Sequence, residues 1–167
     1  MKKKEGKRMK LLTKPLVLSL ASTGLWFLLR FIGLGDFIQG DEGGAMPSGT
    51  IAFLGVIYAL LAAFTTANVW SQWVVVEEAV KTGDHQKFIL NKDKRMPGTL
   101  KLLLLMFSIF LVVGFYLLYF KNPLPGGFSI FAVTMAVSAV WVVIMDLDDP
   151  FSGIWNVQVP EKWRKEE

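Results

Sequence analysis

Apolar residues fall along this chain in long blocks, separated by short stretches rich in charge, glycine and proline. The block from Leu102 to Phe120 holds only Ser108, Gly114 and two tyrosines among leucine, phenylalanine, valine, isoleucine and methionine, about the length that crosses the hydrocarbon core of a bilayer. Four such spans are expected, at residues 15–34, 50–73, 100–120 and 128–145. Pro15 suits a helix start, and the glycine-rich acidic stretch Gly35 to Gly49, with Asp36, Asp41, Glu42 and Pro47, reads as a loop. Ser48 or Thr50 can cap the second helix, which should continue past Trp73 through Glu77, Glu78, Ala79 and Val80 and stop near Gly83. Pro123, Pro125, Gly126 and Gly127 suggest a tight turn that folds the third and fourth helices into an antiparallel hairpin.

Charge sets the expected orientation. The segment 1–14 carries Lys2, Lys3, Lys4, Lys7, Arg8, Lys10 and Lys14; the middle loop, 74–99, and the start of the next span carry Lys81, Lys87, Lys92, Lys94, Arg95 and Lys101; the tail, 146–167, carries Lys162, Arg164 and Lys165. Only Lys121 and Arg30 lie toward the other side. The positive-inside rule therefore places both termini and the middle loop in the cytoplasm, in an all-α, multi-pass protein of the cytoplasmic membrane whose membrane domain runs over residues 15–145. A cleaved signal peptide is not expected, because the first apolar block is as long as a span, contains Arg30 and lacks a small-residue cleavage site.

Composition agrees and narrows the chemistry. Of 167 residues 53% are hydrophobic, and the mean hydropathy is +0.44. The net charge of +4 lies beside apolar blocks and forms no face with interleaved aromatics, so nucleic-acid binding is not expected. Cysteine is absent and His85 is the sole histidine, which removes thiolate and transition-metal sites from consideration. No phosphate-binding glycine loop, nucleophile elbow or catalytic triad pattern is present; neither an enzyme nor a cofactor is expected.

The spans differ in character. The third is bulky and suited to face lipid, whereas Ser129, Ala132, Thr134, Ala136, Ser138 and Ala139 suit the fourth to close packing. On the second, Tyr58, Thr65, Asn68 and Gln72 fall near one stripe, flanked by Thr66 and Ser71. Such a stripe either cross-links neighbouring helices or lines a wet path through an oligomer. Glu77 and Glu78 below it are either surface acids meeting nearby lysines or a ring of carboxylates at a pore mouth. Arg30 either snorkels to the headgroups or forms an outer charge ring.

After the fourth span come Asp146, Leu147, Asp148, Asp149, Pro150, Phe151, Ser152 and Gly153. Carboxylates at a helix C-terminus oppose the helix dipole and the positive-inside tendency, so they need a local reason: pairing with the basic middle loop, turn capping before Pro150, or a cation held by oxygen ligands. This stretch resembles the Asp-Leu-Asp-x-Pro-Phe-Ser-Gly signature of a bestrophin-like family of prokaryotic membrane proteins, and Gly55 to Ala79 resembles that family's second helix with its trailing Glu-Ala. The resemblance covers the spans and tail motif; the middle loop is far shorter than the cytoplasmic region of bestrophins. It implies a homo-oligomeric, pentameric ion channel with the second helix lining the pore, inorganic ions as its cargo, and Asp146, Asp148, Asp149, Pro150, Phe151 and Gly153 as a structural clasp. The competing expectation is a non-conducting accessory subunit of a larger complex, whose basic side holds anionic lipid or a partner.

Overall fold

A computed structural model of the chain describes residues 2–34, 48–118, 120–151, 154–160 and 163, with side chains from Thr13 onward, Ser48 excepted. Among these residues all regular structure is helical: α1 (Lys2–Phe31), α2 (Ser48–Thr82), α3 (His85–Asn91), α4 (Gly98–Tyr116) and α5 (Pro123–Asp148). Three of them, α2, α4 and α5, are long and apolar enough to cross a membrane, and only 22% of each apolar stretch is buried inside the chain. Their outward faces carry Phe53, Val56, Leu60 and Phe64 on α2 and Leu102, Ile109 and Phe110 on α4. So much contiguous apolar surface suits a lipid solvent and would associate in water.

α1 does not meet the same measure, and it begins earlier than expected. Pro15 lies inside this helix, not at its start. A proline ring removes one backbone donor; in the turns that follow, Ser19 donates to the Pro15 carbonyl at 2.7 Å and Thr23 to the Ser19 carbonyl at 2.8 Å. The acidic stretch expected as a loop, with Asp36, Asp41 and Glu42, lies outside the described residues except at its end, Ser48 and Gly49, which belong to α2. So does the side chain of the expected cap Ser48.

α2 runs past Trp73 to Thr82 and stops where the sequence suggests. Gly83 takes a left-handed φ of 75°, and the Asp84 amide donates back to the Ala79 carbonyl at 3.0 Å, the long bond of a Schellman stop. Asp84 then caps α3 by accepting from the Lys87 amide at 2.9 Å.

The Pro-Gly cluster is no turn. It forms the first turns of α5, with the Asn122 side chain accepting from the Leu124 amide at 3.1 Å and Pro123 in the first helical position. Prolines fit there because the first amides of a helix have no intrahelical partner. Gly126 and Gly127 serve a contact instead of a bend. A Cβ on Gly126 would lie 2.7 Å from the Trp26 ring and 2.8 Å from Phe120, and one on Gly127 would lie 2.6 Å from Phe27.

This close approach makes α1 the main neighbour of α5, while α2 packs on both α4 and α5. The hairpin partner α4 meets α5 less closely. The main core is formed by Ile51, Tyr58, Ala62 and Val69 of α2 with Leu104 and Leu111 of α4 and Val137, Ile144 and Leu147 of α5. A second, smaller core sits beyond the Asp148 end of the bundle, where Val76 and Ala79 of α2 meet Phe88 of α3 and Val157 and Trp163 of the tail.

Overpacking at the glycine pair should therefore detach α1 from α5. Gly127→Val is expected to cost about 2 kcal/mol and to abolish the disulfide cross-link that a Ser22→Cys/Thr134→Cys pair forms in the otherwise native chain. An undiminished cross-link would show that α1 docks by other means.

Candidate functional site at the Asp-Pro-Phe end of the bundle

Each aspartate of the tail motif holds a different part of the chain. Asp146 accepts from the Ile154 amide at 3.1 Å and 3.2 Å and from the Trp155 amide at 3.4 Å, folding the tail back under α5. Asp148, only 7% exposed, accepts from the Met96 amide at 2.6 Å and pairs with the Lys101 ammonium at 2.6 Å. Asp149 accepts from the Phe151 amide and the Arg95 guanidinium, both at 3.2 Å. Pro150 accepts from the Val157 amide at 2.6 Å, and the Trp73 indole donates to the Trp155 carbonyl at 2.7 Å.

The electrostatics of the Asp148–Lys101 pair follow from helix direction. Lys101 stands in the first turn of α4 and Asp148 in the last turn of α5, so each charge opposes the dipole of its own helix. Because the helices run antiparallel, the two unfavourable charges meet and compensate each other. That pairing, with the Asp149–Arg95 bridge and the turn at Pro150, supplies two of the three reasons expected for the acid run. The third has no counterpart: among the described residues no group of three or more acids and histidines gathers around a point that could hold a metal ion.

Aromatic rings fill the space beside these bonds. Phe151 meets Phe88 edge to face at 5.9 Å, Arg95 lies 5.9 Å over the Phe151 ring, and Trp163 packs at 5.1 Å from both Phe88 and His85. A cavity of about 450 Å³ opens among Phe88, Lys92, Arg95, Phe151, Gln158 and Trp163. Gly153, the last residue of the motif, lies outside the described residues.

The polar stripe of α2 divides: Tyr58 and Thr65 are buried within the chain, while Asn68 and Gln72 are half-exposed. The Tyr58 hydroxyl, buried, donates to the Val137 carbonyl of α5 at 3.4 Å. Thr65 is fully buried and donates to the Leu61 carbonyl of its own helix at 2.7 Å, as Thr66 does to Ala62. Asn68 accepts from Gln72 at 2.9 Å, again within α2. Glu77 pairs with Lys81 at 3.1 Å and Glu78 with Lys87 at 2.7 Å, the surface pairing expected as one of their two readings.

Arg30, at the opposite end, donates to the Phe120 carbonyl at 3.0 Å and lies 5.6 Å over the Trp26 ring. It thus ties α1 to the connection between α4 and α5. From the last residue of α4 the Tyr116 hydroxyl pairs with Ser22 at 2.9 Å, and Thr134 reaches the same serine at 3.3 Å, joining α4, α1 and α5. Sequence reasoning passed over this cluster, because Tyr116 stands in a span expected to turn much of its surface to lipid. It also passed over Lys101, although a cation at the start of one apolar helix and an acid at the end of the next is a legible signal.

No family model, curated protein or solved structure matches the chain.

Removing the Asp148 carboxylate leaves Lys101 and the Met96 amide without their partner. Asp148→Ala should cost about 3 kcal/mol, read as a lowered thermal midpoint in detergent. Asp148→Asn keeps an acceptor for Met96 and should lose less; equal losses would mean that the ion pair, not the amide bond, holds this end.

Proposed function

We propose that the chain is a four-span protein of the cytoplasmic membrane, with α1 as its fourth crossing and both termini on the cytoplasmic side, and that it serves as a non-conducting accessory subunit. The fourth crossing is supported by α1 lying along α5 and exposing Leu16, Val17, Leu20 and Leu28 to the same apolar surroundings as its neighbours. The orientation is supported by the lysines and arginines gathered at the Asp148 end and in the first segment.

The observation that carries the functional reading is the position of the α2 stripe. Tyr58 and Thr65 face the interior of one chain, while the outward face of α2 offers Phe53, Val56, Leu60 and Phe64. A pore lined by this helix needs polar groups turned toward a lumen that several copies share. An apolar outer wall suits lipid or the apolar flank of another membrane protein, and Glu77 and Glu78 are each paired with a lysine of the same chain, which leaves them no part in a ring of carboxylates.

The alternative is the pentameric channel that the bestrophin-like resemblance implies. Mass measurement of the detergent-purified particle, followed by reconstitution of the same sample into planar bilayers, separates the two. The accessory reading expects no symmetric ring and no current above that of empty bilayers. A ring whose ion currents fall in the Thr65→Leu/Asn68→Leu double variant would contradict it and make α2 the pore wall.

A further inference from the structure

We infer that the cavity beneath the Asp-Pro-Phe turn is a binding site for a phosphate-bearing anion. Its volume of about 450 Å³ lies within the range of small-ligand sites. Its lining carries the cations Lys92 and Arg95 and the acid Asp93; with the neighbouring Lys94 and with Asp149, which pairs with Arg95, three cations stand against two acids.

Arg95 is held ready for such a ligand. Its Nη1 donates to the carbonyls of Lys92, at 2.8 Å, and Lys94, at 3.3 Å, and its Nη2 to Asp149 at 3.2 Å. A guanidinium carries five N–H donors, more than these three bonds use, and this one lies 5.9 Å over the Phe151 ring. Lys92 supplies a point charge beside this fork, the pairing of cations that phosphate recognition favours. The Asn156 and Gln158 side chains add neutral amides to the rim, and Phe88, Phe151 and Trp163 form an apolar wall for whatever carries the phosphate. The wall is firm because Asp149 holds both the arginine and the backbone of Phe151.

The phosphate has two possible sources. The cavity lies just beyond the last turn of α5 and the first turn of α4, at the depth of lipid headgroups if these helices cross a bilayer as proposed above; a soluble phosphate ester could reach the same opening without that topology. The inference rests on the proposed topology only for the lipid source.

Full-length protein in detergent would be titrated with phosphatidylglycerol and, separately, with phosphatidylcholine, counting bound lipid by native mass spectrometry. Glycerol phosphate alone would be titrated against tryptophan fluorescence. Two single variants are compared with the native chain: Lys92→Gln, which removes a charge, and Gln158→Glu, which adds an opposing one without touching the clasp. Binding of one of the two phosphate forms is expected to fall about tenfold in each variant, the loss of one charge-assisted contact. Weakened phosphatidylglycerol binding with phosphatidylcholine unchanged assigns the headgroup; weakened glycerol phosphate binding assigns a soluble ester. Binding undiminished in Gln158→Glu, or no binding of either phosphate form by the native chain, overturns the inference.

Discussion

A helix whose outward face is phenylalanine and leucine offers its hydroxyls and amides no water, so each must find a partner inside the chain. That constraint shapes most of this molecule. Serines and threonines of α1, α2, α4 and α5 turn their hydroxyls onto carbonyls of the preceding helical turn, as Ser19, Thr65, Ser108 and Ser138 do. Where one turn does not suffice, hydroxyls gather across helices, as at Ser22, Tyr116 and Thr134. Among the described residues no buried side-chain nitrogen or oxygen lacks a partner. Of the polar pattern on α2, Tyr58 and Thr65 are part of this internal satisfaction.

The two ends of the bundle solve a different problem, that of charge beside an apolar slab. Asp148 and Lys101 each oppose the dipole of their own helix and are stable only because the antiparallel arrangement brings them together. Around that pair the tail motif closes α2, α3, α4 and its own return segment into one unit, with a small aromatic core outside the long helices. At the other end Arg30 reaches the Phe120 carbonyl in the connection between α4 and α5. Both ends thus use a charged side chain to fix the relation between neighbouring helices.

Sequence periodicity and length sufficed to locate the long helices, because a run of nearly twenty apolar residues admits little besides a membrane-length helix. The stop at Gly83 was also legible, since it follows from a local property of the backbone; of the small residues expected to turn α5 inward, Thr134 and Ser138 are buried, whereas Ala132 and Ala136 lie on its exposed face. The Pro-Gly cluster was misread as a turn because prolines and glycines have the same local signature in a turn and in the first turns of a helix; only Trp26 and Phe27, a hundred residues away in the chain, explain why glycine stands at 126 and 127. The inward facing of Tyr58 and Thr65 was hidden for a related reason. Periodicity gives the face of a helix but not what that face meets. In the tail motif the pairing of acids with the middle loop was foreseeable in kind, while the particular partners, Met96 and Lys101, depended on the register between α4 and α5.

The claim on which the whole reading turns is that four helices cross the membrane and return both ends to one side. Because the chain contains no cysteine, single cysteines placed at Gly6, Asp41, Lys94 and Lys121 can be probed in sealed vesicles with a membrane-impermeant maleimide. The account predicts that Gly6→Cys and Lys94→Cys are labelled from the same, cytoplasmic face, and Asp41→Cys and Lys121→Cys only from the other. Labelling of Gly6→Cys from the face opposite Lys94→Cys would mean that α1 does not cross, and the four-span arrangement would fall.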